Sequence, residues 1–204
     1  MKIFGFDFSN LSYSKEENLK HNRRVLKNLP RTVENGFSAD GFIENQNRLS
    51  FVKYSARDFA YCGCGCIAYW NILLSRGKKI GIPRLASEME KGCILGGVFG
   101  TNALFMKRFM EKRGEKVEVS LSPDEILKNG AKEAIIMYYR KPRTAHYVAF
   151  TAFGTDGNGK RLYRFYNVGG KLMRSFGEGN PVILTLEDFI EKTGYSLSIY
   201  FKLG

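Results

Sequence analysis

The sequence predicts an α+β fold in which a helical lobe packs against an antiparallel sheet. Helix signals dominate the first half of the chain, whereas segments rich in β-branched and aromatic residues dominate the second half. Because the helices precede the strands instead of alternating with them, this order favours a separate helical lobe over a parallel βαβ sheet. The 204 residues are expected to form one domain, with an N-terminal extension at 1–53, a helical lobe at 54–130 and a β lobe at 131–204.

The first half contains five predicted helices and two short strands. The strongest helix, residues 63–75, is apolar on nearly every side, which is typical of a buried helix. Pro30 ends the first helix, and an N-cap at Thr101 or Asn102 begins the fourth. That fourth helix reaches Arg113, and the other helices are predicted at 15–28, at 83–91 and from 122 onward. The two short strands are predicted at 49–54 and 116–120.

The second half is predicted to form four strands, at 134–139, 146–154, 160–168 and 196–203, and one helix at 186–192. The sequence Thr155-Asp156-Gly157-Asn158 is typical of a two-residue type I′ hairpin turn between the second and third of these strands. In that register His146 faces Asn167, with Cβ atoms about 5 Å apart. A four-residue loop would make the two residues diagonal neighbours, and a three-residue loop or a bulge would separate them.

The composition is that of an ordinary soluble protein with a basic surface. Hydrophobic residues make up 44% and charged residues 25%, and 32 Lys and Arg against 20 Asp and Glu give a net charge of +12. The positive charge favours acidic partners such as acidic peptides, whereas the scatter of the basic residues, without a clustered stripe, disfavours nucleic acid. No run approaches the roughly 18 apolar residues of a membrane span, and Asp7 comes too early for a secretory signal, so a cytoplasmic location is expected. Nothing predicts an oligomeric state.

Three of the four cysteines alternate with glycine, at Cys62, Cys64 and Cys66. Structural zinc sites space paired cysteines by two to four residues, and no second pair accompanies Cys93, so neither a metal nor another cofactor is expected. Cysteines at i and i+2 form a disulfide only with strain, which suits a labile redox switch more than a structural bridge. In a reducing compartment, such a cluster indicates catalysis or metal binding more often than disulfides.

A reactive thiol would need both a helix N-terminus and a base. The buried helix begins at about residues 63–66, where the positive helix end and free amides favour a thiolate and an oxyanion. Of the two histidines, His21 lies on a polar helix and is predicted to be a surface residue, whereas His146 begins an apolar strand. If the Asn167 side chain accepts a hydrogen bond from one ring nitrogen of His146, it would fix the tautomer of that histidine, as in Cys-His-Asn arrangements.

These features together resemble the papain-like cysteine peptidase superfamily, and in particular the bacterial C39-type bacteriocin leader peptidases. Residues Gly63–Ala68 are similar to the family's Gly-Cys-Gly-Pro motif, with Cys66 where proline is usual. Residues Ala145–Val148 are similar to its Gly/Ala-His-Tyr/Trp-Val motif, and Gly96–Asn102 resembles the loop before the third helix of bacterial members. The resemblance spans about residues 54–168.

The resemblance implies a papain-like fold and a thiol hydrolase that acts on peptide or isopeptide bonds through an acyl-enzyme. On this alignment Cys64 is the nucleophile, His146 the general base and Asn167 the residue that orients it. Cys66 is the alternative nucleophile, because Cys66–Tyr69 echoes the Cys-Trp-Ala-Phe of the papain group, and Cys62 is the third choice. The glycines that flank Cys64, Gly63 and Gly65, are implied neighbours of the oxyanion site.

One position departs from the family pattern. Asp58 stands six residues before Cys64, where relatives carry a glutamine that donates to the oxyanion. A carboxylate cannot donate unless it is protonated, and its charge opposes an oxyanion. The oxyanion hole would then consist of backbone amides alone, or Gln46 or Asn47 would fold into it. The alternatives are a catalytically impaired papain-like binding protein, or a metal or redox protein built on the cysteine cluster.

Overall fold

The computed structural model describes residues 2–3, 6–7, 11–128, 130–140, 144–195 and 197–204. Most of the first ten residues, part of the basic group at 140–143 and Ser196, where the last strand was predicted to begin, lie outside this range. The described residues form eight α-helices: α1 (Lys15–Leu26), α2 (Phe59–Cys62), α3 (Cys64–Ser75), α4 (Ile82–Met89), α5 (Ala103–Glu111), α6 (Pro123–Lys128), α7 (Gly170–Phe176) and α8 (Leu186–Thr193).

The strands form one large sheet and two small ones. They are β1 (Lys2–Ile3), β2 (Phe6–Asp7), β3 (Lys53–Tyr54), β4 (Arg57–Asp58), β5 (Val117–Ser120), β6 (Glu133–Arg140), β7 (Thr144–Thr155), β8 (Arg161–Tyr166), β9 (Val182–Leu184) and β10 (Leu197–Leu203). Strands β5-β10-β6-β7-β8-β9 make a six-stranded antiparallel sheet in that order. The predicted α+β class, helices first and an antiparallel sheet second, is confirmed.

Each face of the large sheet is covered by its own hydrophobic cluster. Alternate residues of a strand point to opposite faces, so Ile135 and Met137 of β6 pack with the helices α3 and α4, whereas Ile136 and Tyr138 pack with α7 and α8. The first cluster also takes in residues of the N-terminal extension, among them Phe37. The extension is therefore part of the packed molecule.

Helix α3 lies at the centre of the helical side and packs on β7. Its residues 64–73 are all buried, which confirms the prediction from its uniformly apolar sequence. The Asn71 side chain in this stretch is fully buried and bonds the N–H and the carbonyl of Ile43 at 3.0 and 2.9 Å. This pair of bonds attaches the extended segment around Ile43 to the buried helix.

The hairpin between β7 and β8 differs from the predicted two-residue turn. Its loop has five residues, 156–160, because the Asp156 carboxylate accepts the N–H groups of Asn158 and Lys160 at 2.9 and 2.8 Å and stabilises a wider loop. The ladder then shifts by one residue at a bulge between Ala152 and Gly154. Loop and bulge together give the register Ala149 opposite Tyr166, the register of a four-residue loop, in which His146 and Asn167 are diagonal neighbours.

None of the helices in the described part of the chain has both the length and the apolar character that a membrane span requires.

Candidate active site

A cavity of about 280 Å³ brings the predicted site residues together. Cys64 from the start of α3, His146 from β7 and Asn167 from the end of β8 all line it. Gln46 and Asn47, which the sequence offered as possible oxyanion donors, also line it. The other lining residues are Asn45, Tyr61, Tyr138, Ala145, Val168, Gly169 and Gly170. Three segments that are distant in sequence therefore meet at one end of the sheet.

Cys64 occupies the predicted position as the first residue of α3. Gly63 joins the short helix α2 to α3 so closely that a Cβ there would lie 2.7 Å from the backbone of Phe59. A Cβ at Gly65 would lie 2.8 Å from the Thr101 hydroxyl, so this glycine lets Thr101 pack against the first turn. Both glycines thus serve the close packing that places the Cys64 sulfur at the cavity.

The Cys64 thiol is only 6% exposed, and this burial dominates its acidity. Burial raises the pKa of the thiol to about 11, although the backbone N–H groups of Tyr147, Gly65 and Cys64 itself bond the sulfur and lower the pKa in part. At neutral pH the isolated thiol is therefore protonated. A base is needed to turn it into a nucleophile.

The other cysteines lie away from this cavity in the described structure. Cys66 is 1% exposed, and burial raises its pKa well above the usual value. Cys62 donates hydrogen bonds to the carbonyls of Asp58 and Tyr54. Its pKa lies far above the usual range, chiefly because of a hydrogen bond with Cys93 and, second, because of burial. All four cysteines are free thiols. Within the described ranges, no three His, Cys, Asp or Glu side chains are grouped so that they could hold a metal ion.

The His146 ring is fixed by contacts on its edge and on one side. Its Nε2 lies 2.7 Å from the backbone carbonyl oxygen of Asn167. Because a carbonyl oxygen only accepts, Nε2 carries the proton, and in the neutral ring Nδ1 is the basic nitrogen. Tyr138, directly opposite on β6, stands edge-on to the imidazole with ring centroids 5.7 Å apart. Gly169 borders the ring, since a Cβ at this position would lie 3.8 Å from Nε2, an ordinary contact distance.

Asn167 reaches His146 through its main chain, whereas the sequence predicted a contact through its side-chain amide. The strand ends at Tyr166, and Asn167 turns into the left-handed region with φ of 57°. Its side chain is directed to Gln46 instead: Nδ2 donates to Gln46 Oε1 at 2.8 Å, and Oδ1 accepts from the Gln46 N–H at 3.1 Å. The orienting group at His146 is therefore the Asn167 carbonyl.

The segment Ile43–Gln46, called the strap below, holds Asn167 from the opposite side. Glu44 accepts the Asn167 N–H at 3.1 Å, Gln46 pairs with its side chain, and Ile43 is bonded to Asn71 of α3. The sequence had suggested Gln46 only as one way to complete an oxyanion hole. No local pattern indicated that Glu44 approaches the site, because its partners are more than 100 residues away in the chain.

Asp58 has a structural contact that explains its presence. Its carboxylate accepts the Tyr61 N–H at 3.0 Å and caps α2, and Asp58 is not among the described residues that line the cavity. On the cavity wall stands Gln46, whose Nε2 donates to the carbonyl of Ala60 at 3.0 Å. His21, predicted to be a surface residue, is half-buried, and its Nε2 contacts the carbonyl of Phe51 at 2.9 Å.

The chain resembles known proteins at modest similarity. No family model matches the sequence, and no curated protein matches it. Among solved structures, the chain is similar to the peptidase domain of Streptococcus ComA, a bi-functional ABC transporter involved in a quorum sensing pathway. The match has 16% sequence identity and a TM-score of 0.44, and it covers 68% of this chain and 90% of that domain.

Proposed function

We propose that the protein is a papain-like thiol hydrolase that cleaves peptide or isopeptide bonds. The observation that carries the proposal is the shared cavity of Cys64, at the start of the buried helix α3, and His146, whose Nε2 is held by the Asn167 carbonyl. Nδ1 is left as the basic nitrogen on the histidine that shares the cavity with the thiol. A thiol, an oriented imidazole and a helix N-terminus are the groups that acyl transfer through a thioester requires.

The reaction begins with proton transfer from the Cys64 thiol to His146 Nδ1. The sulfur attacks the carbonyl carbon of the scissile amide, and the carbonyl oxygen becomes an oxyanion. The tetrahedral intermediate collapses to a thioester as the amine leaves with the proton from His146. Water, deprotonated by His146, then attacks the thioester, and the proton returns to the Cys64 sulfur as the acid product leaves.

Backbone amides near the Cys64 sulfur are the candidate oxyanion donors. The N–H groups of Cys64, Gly65 and Tyr147 already face the sulfur, so an oxyanion formed beside it would meet donors at the positive end of α3. Asn47, exposed on the cavity wall, is a further amide within the same site. Asp58 is committed to the cap of α2, so the oxyanion hole does not depend on its protonation.

Mild alkylation with iodoacetamide near neutral pH, followed by peptide mass mapping, tests the pairing of thiol and base. We expect Cys64 to react before Cys62 and Cys66, because it lines the cavity and the other two do not, and we expect His146→Ala to slow this reaction. His21→Ala is the matched control, since it removes the other histidine of the chain. Equal labelling of Cys62, Cys64 and Cys66, or protection that a chelator reverses, would contradict the proposal.

A second candidate function, peptide binding without cleavage, is favoured by the burial of the Cys64 thiol, which holds its pKa high. Incubation with a complex peptide library and mass spectrometry separates the two functions, with Cys64→Ala as the control. New peptide termini that depend on Cys64 indicate hydrolysis. Peptides that co-elute with the wild-type protein uncleaved, and equally with Cys64→Ala, indicate a binding protein on the same fold.

A further inference from the structure

Asn167 holds the carbonyl that faces His146 in a backbone conformation that needs support. A non-glycine residue in the left-handed region is strained, with φ of 57° here, although asparagine tolerates it better than most residues. Asn167 is 1% exposed, so its N–H and its amide must be bonded inside the protein. The strap supplies those bonds: Glu44 accepts the N–H, and Gln46 pairs with the side chain.

Glu44 is itself held in a buried charged group. Its side chain accepts a hydrogen bond from Arg164 Nη2 at 3.1 Å. The guanidinium lies against the adjoining rings of Phe42 and Tyr166, 4.7 and 4.9 Å from their centroids. Asp40 bonds the same guanidinium from the surface side. The Glu44 carboxyl thus has one oxygen directed to Arg164 and the other to the main chain of Asn167.

We propose that Glu44 is a positioning residue of the candidate active site, which holds the Asn167 main chain so that its carbonyl fixes the tautomer of His146. This inference rests on the proposed function for its meaning, but its geometry is independent of catalysis. Glu44 accepts a hydrogen bond from the N–H of Asn167, and the carbonyl of Asn167 accepts one from His146 Nε2. A change at Glu44 therefore affects the imidazole through a single intervening residue. The strap position is kept by the bonds of Ile43 to Asn71 on α3, the helix that begins with Cys64.

The direct test is imidazole ¹⁵N NMR above the histidine pKa, with the two histidines distinguished by His21→Gln. In the wild-type protein we expect His146 to show a protonated Nε2 and an unprotonated Nδ1. Glu44→Gln leaves one acceptor oxygen for two donors, and the charged Arg164 guanidinium should take it, so the amide NH2 faces the Asn167 N–H. The Asn167 main chain then loses its support, and the two tautomers of His146 should approach equal populations. The rate of Cys64 alkylation should fall about 10- to 100-fold, since small displacements of a reacting group have effects of that size.

Asp40→Asn is the matched control, because Asp40 contacts the same guanidinium as Glu44 but not Asn167. We expect it to keep the wild-type tautomer and alkylation rate. Equal effects of Asp40→Asn and Glu44→Gln would overturn the proposal, since the cause would then be the charge pair with Arg164. An unchanged tautomer and rate in Glu44→Gln would overturn it as well.

Two further measurements keep the test decisive. If Glu44→Gln does not fold by circular dichroism, Glu44→Asp retains the carboxylate one methylene further from Asn167, and a wild-type tautomer in that folded variant would overturn the proposal. Failure of the proposed function has a different signature: Cys64 would be unreactive in the wild-type protein and indifferent to His146→Ala. The His146 tautomer would still report whether Glu44 positions it.

Discussion

Replacement of Asn167 separates its side chain from its main chain as the group that orients His146. The side chain makes two hydrogen bonds to Gln46, at 2.8 and 3.1 Å, and each contributes about 0.5–1.5 kcal/mol. Asn167→Gly should therefore lower the free energy of unfolding by about 1–3 kcal/mol. Glycine adopts a φ of 57° without strain, whereas Asn167→Ala should lose roughly a further 1 kcal/mol because alanine resists that conformation.

Urea denaturation measures the stability of both variants, and imidazole ¹⁵N NMR measures the tautomer of His146. Because the carbonyl and the N–H of residue 167 remain in Asn167→Gly, we expect that folded variant to keep the proton on Nε2. If His146 loses its tautomer preference in folded Asn167→Gly, the side chain is the orienting group and the reasoning is refuted. An Asn167→Ala variant more stable than Asn167→Gly would refute the argument from φ.

Three further predictions concern the helix that carries Cys64 and the short helix before it. In His146→Ala, where the base is absent, the Cys64 alkylation rate should rise about tenfold per pH unit up to the raised pKa of about 11, and levelling near the ordinary thiol pKa would contradict the effect of burial. Gly65→Ala should destabilise the protein by about 1–3 kcal/mol in urea denaturation through its clash with Thr101, with partial recovery in a Thr101→Ala background, and equal losses in both backgrounds would contradict that cause. Asp58→Ala should cost about 1 kcal/mol by the same measurement while Asp58→Asn recovers it, and a stable Asp58→Ala would show that the cap is unimportant.

The parts of the site that sequence predicts are those encoded by local pattern. A continuous apolar run identifies α3 as a buried helix, and Cys64 is the first residue of that helix. A strand rich in aromatic and β-branched residues carries His146 at its start. Both signals depend only on neighbouring residues within one element. The structure has Cys64 at the start of the predicted helix and His146 near the start of the predicted strand.

The strap could not be predicted, because it has no periodic pattern and acts through distant partners. The strap runs from an isolated β-bridge at Ile43 to Gln46, the first residue of a short 3₁₀ helix. Its bonds reach Asn71, Arg164 and Asn167. The hairpin shows a different limit: Asp156-Gly157 favours a two-residue turn, but the Asp156 carboxylate bonds two N–H groups of a wider loop. The hydrogen bonds of the Asp156 side chain thus favour a different turn from the one that its sequence predicts, and the bulge at residues 152–154 sets the register.

His146 is oriented by a backbone carbonyl instead of a side-chain amide, and this difference has a chemical consequence. A side-chain amide offers either an acceptor or a donor to an imidazole, depending on how it is rotated, so it selects a tautomer only when other bonds fix that rotation. The Asn167 carbonyl can only accept, so Nε2 keeps its proton in both the neutral and the protonated ring. Proton exchange during the proposed reaction is thereby confined to Nδ1. The amide is thereby free of that task and makes two bonds to Gln46, so Asn167 contacts the imidazole with its backbone and the strap with its side chain.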